Sequence, residues 1–292
     1  MSNPAGLRAL HWIGGALGAA GVLFVALRLK GYAGELNLGR FSAYHWAAFG
    51  LLTFTYGAAN GLLVHAWRSL LLFLGVSVSL PWAFRAYGIS QLAKYVPGNV
   101  THLVARQALA LAAGLPGWAI AKSAAWELGL LAVAGALLGT LALPLLHPGS
   151  PAGIEWVVFV VVVTMAGAVA SRVLGEHVLR ALVSQIAFLA IAGALFTGTL
   201  IMVSPGALEL SIVPTISAAY VISWLAGLIT PGAPAGIGVR EVALLFLLDG
   251  RLSEADLLLV VLLGRMVTVG GDLAFFACAW ASNLWNRPHA VP

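Results

Sequence analysis

Charged residues punctuate this chain, and the stretches between them are almost uniformly apolar. Read as spans, those stretches predict helices at about 11–29, 41–66, 69–88, 117–146, 154–174, 180–203, 210–230 and 254–283. Crossing the hydrocarbon core takes roughly 20 mainly apolar residues, so the pattern predicts about eight transmembrane helices. Gly, Ala and Ser recur along each run, the residue types that let helix backbones approach closely in lipid. Trp12, Trp46, Trp67, Trp82, Trp118, Trp156 and Trp285 fall near run ends, where an indole sits at head-group level. The first run follows Arg8 and ends at Arg28 and Lys30 without a small-residue cleavage site, which predicts a retained span.

Two segments, 89–113 and 231–250, do not fit this rhythm. Each is too long for a tight loop and too interrupted by Pro and Gly for an ordinary spanning helix. Non-helical backbone at membrane depth is tolerated only when buried in protein or lining a cavity, which predicts two broken or re-entrant helices. They match each other. Pro97-Gly98 is followed by Arg106, and Pro231-Gly232 by Arg240, in both cases nine residues after the proline. Each is then followed by a Gly-containing turn and a long apolar run with a charge inside it. This predicts a pseudo-repeat, with halves 1–147 and 154–285 within a single transmembrane domain spanning 1–292. Pro97, Gly98, Pro231, Gly232, Gly236 and Gly238 are the expected structural breaks. Paired broken helices in corresponding halves are the best sequence pointer to a transporter's binding site.

Composition turns the pattern into a class. Of 292 residues, 61% are hydrophobic and 9% charged, with mean hydropathy +0.98, whereas soluble domains carry about 25% charge. The expected fold is all-α: a polytopic integral membrane protein. A net charge of +5 is what orientation and anionic head groups ask for, not nucleic acid. A lone cysteine, Cys278, excludes a disulfide framework and a Cys-rich metal site, and its apolar run predicts a core position. The sequence offers no Walker loop, no H-E-x-x-H and no arguable nucleophile–histidine–acid set, so neither metal, nor cofactor, nor catalysis is expected.

The chemistry then rests on ionisable residues inside apolar runs: Arg85, Lys94, Arg106, Lys122, Glu127, Arg240, Glu241, Arg265 and Asp272. Each costs about 2.5–3.5 kcal/mol at the bilayer centre on insertion scales, so each is expected to face the bundle interior with a partner. Lys122 is placed to snorkel and Arg85 to meet head groups. Arg265 and Asp272, seven residues apart, share a helix face about 10 Å apart along the axis, with a third group implied between them. The expected pairing brings Glu127 to an arginine of the other half, Arg240 or Arg265. A helix restarting after Pro97-Gly98, or after Gly236-Ile237-Gly238, points unpaired N–H groups into the interior and attracts anions. Arg106 and Arg240 add guanidinium forks suited to phosphate, and Lys94, Asn99 and His102 add donors. Two plainer readings stay open: the charges form a network that only holds the halves together, or the Pro-Gly pairs only kink packed helices.

At these residues the chain resembles a known family. "QLAKYVPGNV…AR" resembles its Tyr-[Ile/Val]-Pro-Gly motif with a following arginine, and "PAGIGVREVALL" its Gly-[Ile/Leu]-Gly-Val-Arg-Glu motif. "HAWRSLL" is similar to its Arg-Trp-Lys/Arg element. The family is the lysylphosphatidylglycerol synthase transmembrane, or flippase-like, family, and the likeness runs from about residue 10 to 283. It implies about eight spans with re-entrant elements, and movement of phospholipids between leaflets. It carries Tyr95, Pro97, Gly98 and Arg106 in the first motif, and Gly236, Gly238, Arg240 and Glu241 in the second. Two departures stand out: "TPGAPAG" replaces a plainer Pro-Gly-Gly, and the aminoacyl-transferase domain of true synthases has no counterpart in these residues. The expectation is therefore a lipid flippase or scramblase of the inner (cytoplasmic) membrane that uses no ATP. Its partner would be an anionic phospholipid, an aminoacyl-lipid or a polyprenyl-phosphate-linked sugar. Glu127, Glu241 and Asp272 would balance the cations or recognise a cationic head group. The alternatives are a non-transporting partner of a lipid synthase or glycosyltransferase, and a membrane-embedded enzyme acting on lipid-linked sugars. A homo-oligomer is a further expected form of assembly.

Overall fold

The structure, a computed structural model, describes residue 39 and residues 41–95, 101–147, 149–206, 210–230, 233–250 and 253–285. The span expected at 11–29, Asn99 and the Pro97-Gly98 and Pro231-Gly232 pairs lie outside the described residues. What is described is all-helical, with no strand among the described residues. In chain order the helices are α1 (Ala43–Phe73), α2 (Leu80–Gln91), α3 (Thr101–Ala112), α4 (Gly117–Gly139) and α5 (Ile154–Val169). They continue with α6 (Glu176–Val203), α7 (Val213–Ile229), α8 (Val239–Leu247) and α9 (Glu254–Trp285). A 3₁₀ turn and one further helical turn carry α4 on to Leu146, and a π turn carries α5 to Leu174. Five of these helices, Ala43–Phe73, Gly117–Leu146, Ile154–Leu174, Glu176–Val203 and Ala255–Ser282, are long and apolar enough to cross a membrane. The chain is a multi-pass membrane protein.

The largest correction concerns 69–88, which is not a span. Arg68 interrupts the hydropathy but not the helix, because its Nε donates to the Val78 carbonyl at 2.9 Å. Helix α1 therefore runs through to Phe73. It stops at Gly75, whose φ of 77° frees the chain to turn back. The Val76 N–H then reaches the Leu71 carbonyl at 2.8 Å, and the Gly75 N–H reaches Leu72 at 3.0 Å. These two hydrogen bonds satisfy carbonyls of the last helical turn. The Ser79 hydroxyl accepts from the Trp82 N–H at 3.4 Å and restarts the chain as α2.

Tertiary pairing interleaves the two halves of the sequence. α1 lies along α6 and α9, α9 also packs on α2, and α4 packs on α6 and α7. Glycines set how closely the long helices approach. A Cβ at Gly57 would sit 2.9 Å from the Gly271 carbonyl oxygen, and one at Gly271 would meet the Thr53 carbonyl oxygen at 2.8 Å. Between α6 and α7, a Cβ on Gly193 would lie 2.8 Å from the Ser217 carbonyl. Two aromatic and sulfur positions also depart from expectation. Trp67 is buried, not a head-group anchor, and donates to the Ser123 hydroxyl at 3.0 Å. Cys278 is exposed on α9 instead of lying in the core.

This backbone contact carries the first prediction. Gly271→Val drives α1 and α9 apart and destabilises the protein by about 1–3 kcal/mol. Gly61→Ala, where a Cβ would meet nothing within 4 Å, is neutral or slightly stabilising. Thermal unfolding of both variants in detergent measures the contrast.

Candidate functional site

The helix breaks converge. The 3₁₀ turn Leu92–Tyr95, which follows α2, packs against the turn Pro234–Gly236, which precedes α8. The Thr101 hydroxyl donates back to the Ala93 carbonyl, tying the start of α3 to the first turn. In the second turn Ala235 adopts φ 49°, a left-handed conformation that only glycine takes without strain. The proline-rich "TPGAPAG" therefore does place an unusual backbone there. Gly236 (φ 68°) and Gly238 (φ 86°) continue it, and the Gly238 N–H donates to Glu241 Oε2 at 2.6 Å as α8 begins.

Three ion pairs surround this junction. In the first, Arg106 on α3 grips Glu127 on α4 with two nitrogens, Nη2–Oε2 at 2.6 Å and Nη1–Oε1 at 3.3 Å. Both residues are almost fully buried, at 2% and 3% exposure. The guanidinium lies 4.8 Å from the Trp67 ring and 4.3 Å from the Tyr87 ring, and the Tyr87 hydroxyl donates to Glu127 Oε1 at 2.8 Å. The second pair joins the halves: Lys94 Nζ lies 2.7 Å from Asp272 Oδ2. Asp272 also accepts from the Tyr95 hydroxyl at 2.6 Å, from Gln91 Nε2 at 3.2 Å and from Asn60 Nδ2 at 3.5 Å. In the third, Arg265 Nε donates to Glu241, while Nη1 and Nη2 each lie 3.4 Å from the carbonyl of the left-handed Ala235.

Arg240 stands apart from these pairs. It is 7% exposed, and its Nη2 donates to the Tyr220 hydroxyl at 2.7 Å while the guanidinium sits 5.1 Å from the Tyr220 ring. Among the described residues it has no carboxylate within ion-pair distance. Two glycines make room for its stem. A Cβ on Gly227 would lie 2.6 Å from Arg240 Cγ, and one on Gly236 would lie 3.2 Å from Cδ. Glu127 follows Arg106 by 21 residues; the same step from Arg240 reaches Val261, which walls a small cavity together with Arg240 and Glu241. An apolar side chain thus stands beside Arg240 at the sequence step where Arg106 has its carboxylate.

A larger cavity of about 80 Å³ lies where the halves meet. Its walls include Lys94, Tyr95, His102, Glu127, Arg240, Arg265 and Asp272, with Phe188, Trp224 and Leu131 supplying apolar surface. His102 Nδ1 is buried there without a hydrogen-bond partner among the described residues. Arg106 does not reach the cavity wall and sits behind Glu127.

The structure therefore gathers Lys94, Tyr95, His102, Arg106, Glu127, Arg240, Glu241, Arg265 and Asp272 into one region. It corrects the expected pairing, because Glu127 is held by Arg106 of its own half and not by Arg240 or Arg265. The reason is proximity: α3 folds back on α4 across a turn at Gly114 (φ 78°), which closes with the same pair of hydrogen bonds as Gly75. Lys122 leans over Trp118 near the start of α4, at 5.2 Å from its ring, and Arg85 lines a separate groove beside Phe84 and Ser282. Several partners escaped the reading of charges. Asn60, Gln91, Tyr87 and Tyr220 are buried and uncharged. For Tyr87 and Gln91 the signal was spacing: Tyr87, Gln91 and Tyr95 recur every four residues, leading into the cation cluster. No protein-family model matches the chain, and no curated protein matches it.

The Arg106–Glu127 pair carries the second prediction. Arg106→Met or Glu127→Leu alone leaves a buried charge without its partner and costs about 3–5 kcal/mol. The double variant recovers most of that loss. Unfolding of all three in detergent, as a double-mutant cycle, measures it.

Proposed function

We propose that this protein is a lipid transporter, a flippase or scramblase, that moves an anionic lipid head group between leaflets without ATP. One observation carries the reading. Three carboxylates, Glu127, Asp272 and Glu241, each hold one cation, and Arg240 is left over on the wall of a cavity where two broken helices meet. An unmatched guanidinium in low-dielectric surroundings is costly, and an arriving phosphate removes that cost. At about 80 Å³ the cavity is small beside a whole lipid, so in this reading the tails remain in the bilayer while the head group crosses.

The order of the helices supports the reading. Each half presents a long helix, a short helix, a break, another short helix and a second long helix: α1 to α4, then α6 to α9. α9 packs on α1 and α2, and α4 packs on α6 and α7, so the two halves embrace each other in the same way. We read this as a pseudo-repeat in a multi-pass membrane domain, seated in the cytoplasmic membrane, with the breaks forming the transport site. The resemblance to the flippase-like family points to the same activity. Arg106, with its guanidinium committed to Glu127, shapes the site without holding the lipid.

The third prediction follows from Arg240. In proteoliposomes, exchange of fluorescent phosphatidylglycerol between leaflets drops at least about tenfold in Arg240→Gln. It drops likewise in Val261→Glu, which supplies the missing counter-ion internally. Both variants retain the wild-type elution profile in detergent. Undiminished exchange by Arg240→Gln overturns the proposal.

A further inference from the structure

The charge balance of the site also specifies the charge of its ligand. The inference rests on the transport reading above. Lys94, Arg106, Arg240 and Arg265 contribute four positive charges, and Glu127, Glu241 and Asp272 contribute three negative ones. His102 adds none. An imidazolium would need acceptors for both ring N–H groups, and the buried Nδ1 has no partner among the described residues. Among the described residues the sum is one positive charge, and it does not depend on which cation meets the ligand. If Lys94 turns from Asp272 to an incoming phosphate, Asp272 keeps its hydrogen bonds from Tyr95 and Gln91, and the total is unchanged.

We propose that the site selects a singly charged phosphodiester over a doubly charged phosphomonoester. A monoanion brings the enclosed charge to zero, whereas a dianion leaves an uncompensated negative charge among Phe188, Trp224 and Leu131. Phosphodiesters occur both as lipid head groups and as free anions, and the site chemistry is the same for each.

The test compares dodecyl phosphate with its methyl ester, methyl dodecyl phosphate, at pH 8 and fixed salt, using the purified full chain in a neutral detergent. The monoester is doubly charged there, its second pKa being about 6. The diester binds at least about tenfold tighter to the unaltered chain. Asp272→Asn raises the enclosed sum to two positive charges and reverses the preference, and Glu241→Gln does the same should Asp272→Asn fail to fold. Equal or tighter binding of the monoester by the unaltered chain overturns the proposal. So does a diester preference that survives in the folded charge variants. Binding of both probes without Arg240 overturns the transport site itself, which separates that failure from a failure of charge selection. Dimethyl phosphate, measured alongside, distinguishes the source. Selection that persists without the alkyl chain supports a free phosphodiester as ligand, and selection that needs the chain supports a lipid.

Discussion

Asp272 is the group on which the architecture depends. At 1% exposure on a helix that crosses the hydrocarbon, its carboxylate is tolerable only if several donors surround it. Those donors come from three places in the first half: Asn60 on α1, Gln91 on α2, and Lys94 and Tyr95 on the broken turn. Satisfying one buried charge therefore ties the last long helix to the first half of the chain. It also fixes where the chain after α2 can leave its helix, because the Leu92–Tyr95 turn must present both Lys94 and Tyr95 to the same carboxylate. The fold and the site are held by the same hydrogen bonds.

That arrangement needs helices that approach closely, and lipid offers no hydrophobic driving force to bring them together. Gly57, one turn before Asn60, meets Gly271, which immediately precedes Asp272, so the polar cluster lies beside a close backbone crossing. The same economy appears at Arg240. Gly227 and Gly236 lack side chains where its methylenes run, and Tyr220 receives the guanidinium on its ring and its hydroxyl. Small residues create the passages through which long cationic side chains reach the interior.

The helical class and the two breaks were legible because hydropathy and proline both act locally. The cations were legible because charge in hydrocarbon is expensive wherever it occurs. Their partners were not, since pairing depends on how helices fold back. Gly114 turns α3 onto α4, and this places Arg106 against Glu127. Arg68 misled for a related reason: a guanidinium that reaches the Val78 carbonyl interrupts the hydropathy without ending the helix. Asn60 and Gln91 carry no charge and so fell outside a search for ionisable groups, although in lipid a buried amide demands a partner almost as strictly.

The two halves differ in how their arginines are held. Arg106 and Arg240 follow their Pro-Gly pairs by the same interval, and both are stacked on tyrosine. In the first half a carboxylate completes the arrangement, and the result is an inert, buried, bidentate pair. In the second half Val261 lines the wall beside Arg240, and Glu241, the neighbouring acid, is drawn away by Arg265 and by the Gly238 N–H. A second internal pair would have made the domain more self-sufficient and closed to anions. Without such a carboxylate the scaffold still holds, since Tyr220 keeps the guanidinium in place, and one positive charge is left over for the proposed ligand. The proposed transport site rests on that difference: Arg106 has a carboxylate of its own, and Arg240 has none within ion-pair distance among the described residues.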